Sequence, residues 1–306
     1  MRALALLLVV GLGAHARAAP LAKQERVARA HLLTAALMPH LKVETQTNAL
    51  SLVHYGGKNG DGSGTVVGAW TGRRPGRVRA LILTNNHVVD RNHGRKTTTL
   101  TFSDGSVTRR SHVIAKSRFL DYALLEVDLP QRIAESAFRP ATPTAHIGEA
   151  GDKVYALGAA TSMVDFKVKD FLDVSHASEL QKAVDRGEVY EHPTISLGKL
   201  TTGYPEYLRV PDGSRFFSQS ADYAITHGAS GGPVFSAKTH MLIGINANGA
   251  RDEHVTYAGI TTTSHVLLDL SRKMARGKIA PRFQDTVGSL LDAAPPDSTP
   301  APAVTP

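Results

Sequence analysis

The sequence predicts a mainly β protein built as two domains in tandem, and three observations predict it. Short runs rich in β-branched and aromatic residues recur along the chain, separated by Gly, Asp, Asn and Pro clusters. The runs fall into two series. Between them lies a Pro-rich crossing, Phe138-Arg-Pro-Ala-Thr-Pro-Thr-Ala-His146, whose prolines break any regular element. Closely spaced strands with turn signals argue for a sandwich or a barrel in each half.

The chain starts differently. Met1 to Ala18 has a basic start at Arg2, an apolar run from Ala3 to Gly13, and small residues at Ala16 and Ala18. That pattern predicts a secretory signal peptide over 1–18, cleaved after Ala18, and so an exported, periplasmic or secreted, protein. The apolar run is too short for a membrane span, which needs about 20 residues, and no later run is long enough either. Cleavage removes Arg2 and Arg17 and no acid, so the net charge falls from +8 to +6. Residues 19–42 are expected to form an N-terminal helix. From Ala22 to Met38, Val27, Ala30, Leu33 and Leu37 recur at helical spacing with Lys23, Arg26 and Arg29 opposite, and Pro39 ends the pattern. That helix packs on its own domain or serves a partner contact.

The first β series, within 43–142, comprises Ser51 to Tyr55, Gly64 to Gly68, Arg79 to Thr84, Thr97 to Phe102, Val107 to Ala115 and Tyr122 to Val127. The second, within 143–276, comprises Lys153 to Leu157, Thr194 to Leu200, Ala221 to Thr226, Pro233 to Phe235, Met241 to Asn246 and Thr256 to Ile260. A polar, helix-leaning insertion over 164–191 interrupts it, with Ser178 and Gln181 as a weak capping box and Gly187 as a stop. Such an insertion is a surface loop or a rim beside a site. Ser264 to Ala275 predicts a closing helix with Val266, Leu267, Leu270 and Met274 on its apolar side. Residues 277–306 are expected to be a largely disordered tail, rich in Pro and Ala towards its end, because so polar a composition cannot offset the entropy of ordering.

Composition narrows the function. With 42% hydrophobic and 20% charged residues the chain is a soluble globular type. Its basic residues form no stripe with interleaved aromatics. The cluster of Arg73, Arg74, Arg77 and Arg79 suits a solvated loop, so nucleic acid is not expected as a partner. There is no cysteine, which excludes disulfides and thiolate metal sites. No His-Glu-x-x-His occurs, and His87 and His93 have no third ligand nearby in sequence, so neither metal nor other cofactor is expected.

The stretch most suggestive of chemistry is Thr226-His-Gly-Ala-Ser-Gly-Gly-Pro-Val-Phe235. Its serine is flanked by glycines, which serve where backbone approaches a ligand or takes positive φ. A plain turn before a strand is the competing reading. A serine hydroxyl becomes a nucleophile when a histidine takes its proton and a third group fixes the imidazole tautomer. Among 14 histidines, His87 stands out in Leu83-Thr-Asn-Asn-His-Val-Val89, at the end of a strongly apolar strand, although such a residue can also be a solvated loop histidine. Asp121 precedes Ala123-Leu-Leu125, where burial demands a partner. Asp90 and Asp104 compete with it.

Together these stretches resemble the chymotrypsin-type serine peptidases, and within them the bacterial HtrA-type branch. The matching segments are Asp61-Gly-Ser-Gly-Thr-Val-Val67, Thr84-Asn-Asn-His-Val-Val89, Asp121-Tyr-Ala-Leu-Leu125, Gly228-Ala-Ser-Gly-Gly-Pro233 and Gly244-Ile-Asn246, in the family's order. The resemblance implies an all-β fold of two perpendicular six-stranded antiparallel barrels with the site between them. It implies His87 as general base, Asp121 as its orienting carboxylate and Ser230 as nucleophile, with the N–H groups of Gly228 and Ser230 as oxyanion hole. Protein or peptide substrates are implied, with Ala224 at the floor of the pocket, His227 near its mouth, and Asn246, Ala247 and Asn248 pairing with substrate backbone. A neutral Ala224 implies a small or medium apolar residue before the cut, and His227 leaves room for Glu.

Three departures stand out. Ala229 replaces the acid that pairs with a newly cut N-terminus in the digestive enzymes, so that activation route is not expected. The residues beyond Gly277 are too few for the PDZ domain usual in HtrA proteins. The 164–191 insertion lies outside the minimal pattern. A catalytically silent binding module is the rival reading, and the three filled positions favour the enzyme.

Overall fold

The computed structural model describes residues 43–294, apart from 58–59, 73, 93–98, 104–105, 159–193, 210–214, 224, 226–227 and 252–255. The expected signal peptide, N-terminal helix and 164–191 insertion lie outside the described residues.

After a short helix α1 (Val43–Ala49), the first half contributes β1 (Leu52–Gly57), β2 (Gly60–Thr71), β3 (Arg77–Thr84), α2 (Asn86–Asn92), β4 (Thr99–Thr101), β5 (Val107–Thr108), β6 (His112–Ser117), β7 (Tyr122–Pro130) and α3 (Gln131–Ala137). These strands make one antiparallel sheet in the order β5-β4-β1-β2-β3-β7-β6. Register shifts at Val66/Gly68 and Val113/Ala115 bend it into a curl, since each extra residue sharpens the local twist. β3 lies inside the sheet, paired with β2 on one side and β7 on the other. Its run Ala80 to Thr84 is wholly buried because helices or strands cover both of its faces.

The chain crosses to the second lobe where Pro143 bridges Leu242, with Thr144 N–H donating to the Leu242 carbonyl. There β8 (Lys153–Gly158), β9 (Thr194–Lys199), β10 (Glu206–Arg209), β11 (Arg215–Ala221), β12 (Pro233–Ser236), β13 (Leu242–Arg251) and β14 (Thr256–Thr262) form a second antiparallel sheet. Its order is β10-β11-β14-β13-β12-β8-β9. The architecture is therefore the expected all-β double-barrel type, written as two curled sheets of seven strands rather than six. The extra strand in each arises where sequence rhythm is weakest. Val107 to Ala115 divides into β5 and β6, and in the second half two strands, the short β10 and then β11, precede the run expected to begin at Ala221.

Two expectations are corrected. The run expected over Ala221 to Thr226 has, among its described residues, only Ala221 in a strand: β11 ends there, and the chain bends at Asp222 with Tyr223 buried. The 277–306 segment is not a largely disordered tail throughout. After α4 (Thr263–Ala275), a second helix, α5 (Pro281–Ala293), starts with proline at its first position, where a missing N–H does no harm. Phe283, Val287 and Leu290 recur at helical spacing and are buried, each worth ~1.5–3 kcal/mol. Arg79 of β3 donates to the Thr286 hydroxyl, tying the end of the chain to the first lobe. The apolar core between the lobes includes Leu81 and Tyr122 from one side, Tyr155 and Ile245 from the other, and Leu270 and Val287 from the two closing helices.

Candidate active site

β3 delivers His87 to the site. The strand ends at Thr84, and Asn85 turns the chain into α2, so His87 stands in the helix's first turn. Asp121 stands just before β7, the neighbour of β3 in the sheet, with Thr84 opposite Ala123 in register. Antiparallel pairing thus brings together two residues 34 positions apart. His87 donates twice to one carboxylate: its main-chain N–H to Oδ1 at 3.0 Å and its Nδ1 to Oδ2 at 2.7 Å. A carboxylate only accepts, so Nδ1 is the donor, and in a neutral ring Nε2 is then the acceptor. The Asp121 side chain is 4% exposed while the imidazole is 27% exposed, so the acid is buried and the ring faces outwards.

Holding the acid there requires an uncommon backbone. Asp121 has φ +49°, in the left-handed region that non-glycine residues seldom enter. Its carbonyl accepts from Asn85 Nδ2 at 2.9 Å, and the preceding Leu120 carbonyl accepts from the Thr261 hydroxyl at 2.9 Å. On the other side the buried Tyr122 hydroxyl donates to Asp269 of α4 at 2.6 Å. Burial, and then the nearby Asp269 carboxylate, raise the Tyr122 phenol well above its ordinary value. The competing acid Asp90 is occupied elsewhere. It accepts from Lys116 Nζ at 2.7 Å and Asn86 Nδ2 at 2.9 Å, and the bond from Lys116 holds its carboxyl below the usual range. Asp104 lies outside the described residues.

Ser230 lies in the loop before β12, half-buried, in a tight turn closed by Gly232 N–H on the Ala229 carbonyl at 2.9 Å. Gly228 and Gly231 have φ +94° and +88°. The glycine-rich spelling has a packing cause as well as a conformational one. A Cβ at Gly231 would overlap the Ser63 carbonyl and the Thr84 hydroxyl, and one at Gly232 would overlap the Leu157 carbonyl. The loop is pressed against both lobes at once. Ser230 Oγ donates to the Ala247 carbonyl at 3.3 Å and makes no hydrogen bond to His87.

Of the residues expected near the substrate, Ala224 and His227 lie outside the described residues. Asn246 and Ala247 are buried on β13, and Asn248 is half-buried there. The Asn246 side chain is engaged within the lobe, accepting from Tyr223 Oη at 2.7 Å and donating to the Leu157 carbonyl at 3.2 Å. Its main chain bonds the serine loop, with Gly231 N–H on its carbonyl at 2.7 Å. It therefore presents neither side chain nor main chain to a ligand, and Asn248, beyond the bulge, is the outer of the three. Sequence reasoning missed Ser63, Thr65 and Thr84 as neighbours of the serine loop. All three sit in motifs already conspicuous in the chain, Asp61-Gly-Ser-Gly-Thr65 and Thr84-Asn-Asn-His87. Among the described residues no group of three His, Asp or Glu is placed to hold a metal ion.

Two curled β sheets, with an imidazole backed by a buried carboxylate in one and a serine in a glycine-rich turn of the other, have the architecture of the double-barrel class. The trypsin-like peptidase domain model matches residues 62–245, and the chain belongs to that family as a serine endopeptidase. No curated protein matches it in sequence. Among solved structures it is similar to a serine-to-alanine mutant of Rv3671c from M. tuberculosis H37Rv in an inactive form, at 18% identity and a TM-score of 0.48, covering 76% of this chain and 91% of that one. It is also similar to an HtrA-type protease, an AlgW variant with tripeptide, at 17% identity and a TM-score of 0.46, covering 76% and 62%. Deg5 follows at 18% identity and a TM-score of 0.44, covering 78% and 90%.

Proposed function

We propose that the chain is an exported endopeptidase that cleaves peptide bonds through an acyl-enzyme on Ser230. The observation that carries this reading is the 2.7 Å bond from His87 Nδ1 to the buried Asp121, which leaves Nε2 as the basic nitrogen. The Ser230 hydroxyl leaves the Ala247 carbonyl and turns to Nε2. Its Oγ bonds to the scissile carbonyl carbon as its proton passes to His87. The C–N bond then breaks, and the same proton goes to the departing amine. Water then attacks the acyl carbon as its proton passes to His87, the C–Oγ bond breaks, and that proton returns to Ser230 Oγ as the acid leaves. Negative charge on the carbonyl oxygen is met by the N–H groups of Gly228 and Ser230. Substrate backbone pairs beside Ala247 and Asn248 by strand addition, with Ala224 and His227 shaping a pocket for a small or medium apolar side chain. No metal or other cofactor enters these steps.

Labelling with a fluorophosphonate tests the reading, because it requires an activated serine. The wild-type protein should be labelled and should hydrolyse a peptide library, and Ser230→Ala should do neither while melting at the wild-type temperature. Labelling that persists in Ser230→Ala would sink it. Export rests on the Arg2 start and the Ala3 to Gly13 apolar run. Its check is N-terminal sequencing of protein recovered outside the cytoplasm, which should begin at Ala19.

A further inference from the structure

Three of the four carbonyl groups from Gly228 to Gly231 point at one strand of the opposite lobe. The Gly228 carbonyl accepts from Ser63 Oγ at 2.7 Å, the Ser230 carbonyl from Ser63 N–H at 2.7 Å, and the Gly231 carbonyl from Thr65 Oγ1 at 3.1 Å. Ala229 alone differs, its carbonyl being held inside the turn by Gly232. The arrangement follows from register. β2 pairs with β3 only as far as Thr65 opposite Leu83, because β3 ends at Thr84. The edge of β2 thereby freed at Ser63 receives the serine loop as if it were the next strand. Thr84 Oγ1 donates to the Ser63 carbonyl at 2.6 Å and so fixes Ser63 itself.

We propose that Ser63 is a positioning residue for the oxyanion hole, its hydroxyl setting the orientation of Gly228; the proposal rests on the reading of Ser230 as nucleophile. A trans peptide is planar, so anchoring its carbonyl also aims its N–H the opposite way. The Gly232 bond does this for the Ala229–Ser230 peptide, and Ser230 N–H is aimed without help from Ser63. The Gly228 N–H lies one peptide before the Gly228 carbonyl, so Ser63 acts on it through the Gly228 Cα, whose place the carbonyl bond fixes. Gly228 stands at φ +94°, glycine being the residue type with the softest torsions, and its own N–H is the second proposed donor. Ser63 Oγ holds the carbonyl of that soft joint. The next residue cannot do so, since Ala229 is buried and has no polar group. Ser63 is itself fully buried. Its hydroxyl meets the Gly228 carbonyl away from water, and its backbone N–H meets the nucleophile's own carbonyl. A single residue of the His87 lobe thus grips the Ser230 loop on both sides of Ala229.

Ser63→Ala removes the hydroxyl and keeps the main-chain bond to Ser230. With a peptide substrate, kcat should fall about tenfold with KM within twofold of wild type, the size expected for one oriented donor misplaced rather than deleted. Affinity for a peptide trifluoromethyl ketone, which forms a tetrahedral adduct on the serine, should fall by the same factor. Affinity for the matching peptide acid, which needs no oxyanion hole, should not change. Equal kcat in variant and wild type, or a loss of kcat not mirrored in the ketone, would overturn the proposal. A wild-type protein that neither hydrolyses nor binds the ketone covalently would instead remove the reading of Ser230. Should Ser63→Ala lose its fold by circular dichroism, Ser63→Cys, of similar volume but a poor donor, takes the same measurements with the same expectations.

Discussion

His87 meets Asp121 twice, through its main-chain N–H at 3.0 Å and through its ring Nδ1 at 2.7 Å, one bond to each carboxylate oxygen. The first bond fixes where the carboxylate sits and the second fixes the ring, so position and tautomer are set by the same group. Asp121→Asn should keep the first bond through its carbonyl oxygen and turn an N–H₂ towards Nδ1. The imidazole would then be protonated on the wrong nitrogen. A loss of kcat of roughly 10⁴-fold is expected, the size a wrong tautomer has in such triads, with an unchanged thermal melt. Peptide hydrolysis beside calorimetry checks it.

The left-handed backbone at Asp121 costs on the order of 1–3 kcal/mol and persists because neighbours over-determine it. Thr261, from the other lobe, supplies one of those constraints through the Leu120 carbonyl. Thr261→Val keeps the shape and removes the donor, leaving a buried carbonyl unpaired. Stability should drop by ~1–3 kcal/mol, and turnover should fall more than KM rises. Urea unfolding and steady-state kinetics on the same preparation measure both.

Gly231 and Gly76 share a positive φ and differ in surroundings. At Gly76 a Cβ would meet nothing within 4 Å, so Gly76→Ala should cost only the backbone strain, about 1–2 kcal/mol. At Gly231 it would strike the Ser63 carbonyl at the seam between the lobes. Gly231→Ala should therefore lose at least twice as much and lower fluorophosphonate labelling as well. Equal losses for the two variants would show that the seam is not tight.

Three buried tyrosines govern behaviour at high pH. Burial pushes the Tyr55 phenol up to about 12 and raises Tyr122 and Tyr223 as well. Their unfolded values lie near 10. Below that pH both states are protonated and stability is full. Above it the unfolded chain loses protons that the folded chain keeps, and stability falls as pH rises, by ~1.4 kcal/mol per unit for each tyrosine. Tyr55 Oη has no hydrogen-bond partner among the described residues. Tyr55→Phe should thus gain ~1 kcal/mol at pH 7 and lessen the decline between pH 10 and 12, as followed by chemical denaturation across that range.

Much of the candidate site was legible because its motifs are local. The strand ending at Thr84, the acid before Ala123-Leu-Leu125 and the glycine-rich turn around Ser230 each announce themselves within ten residues. The choice of Asp121 over Asp90 was not local. It depends on β3 pairing with β7, which carries Asp121 to His87 while Asp90 turns to Lys116. The second closing helix escaped notice because its apolar face, Phe283 with Val287 and Leu290, is sparse and borders a Pro- and Ala-rich end.

By itself the sequence determined the β rhythm, the two series with a proline crossing, and the order histidine, acid, serine, because period-two patterning and turn chemistry act over a few residues. Only the tertiary structure decided which strand edge is left open to receive the serine loop, why Gly231 and Gly232 admit no side chain, and that a serine of the first lobe reaches Gly228. Those facts depend on where one strand stops beside another, and pairing register joins residues more than 160 positions apart.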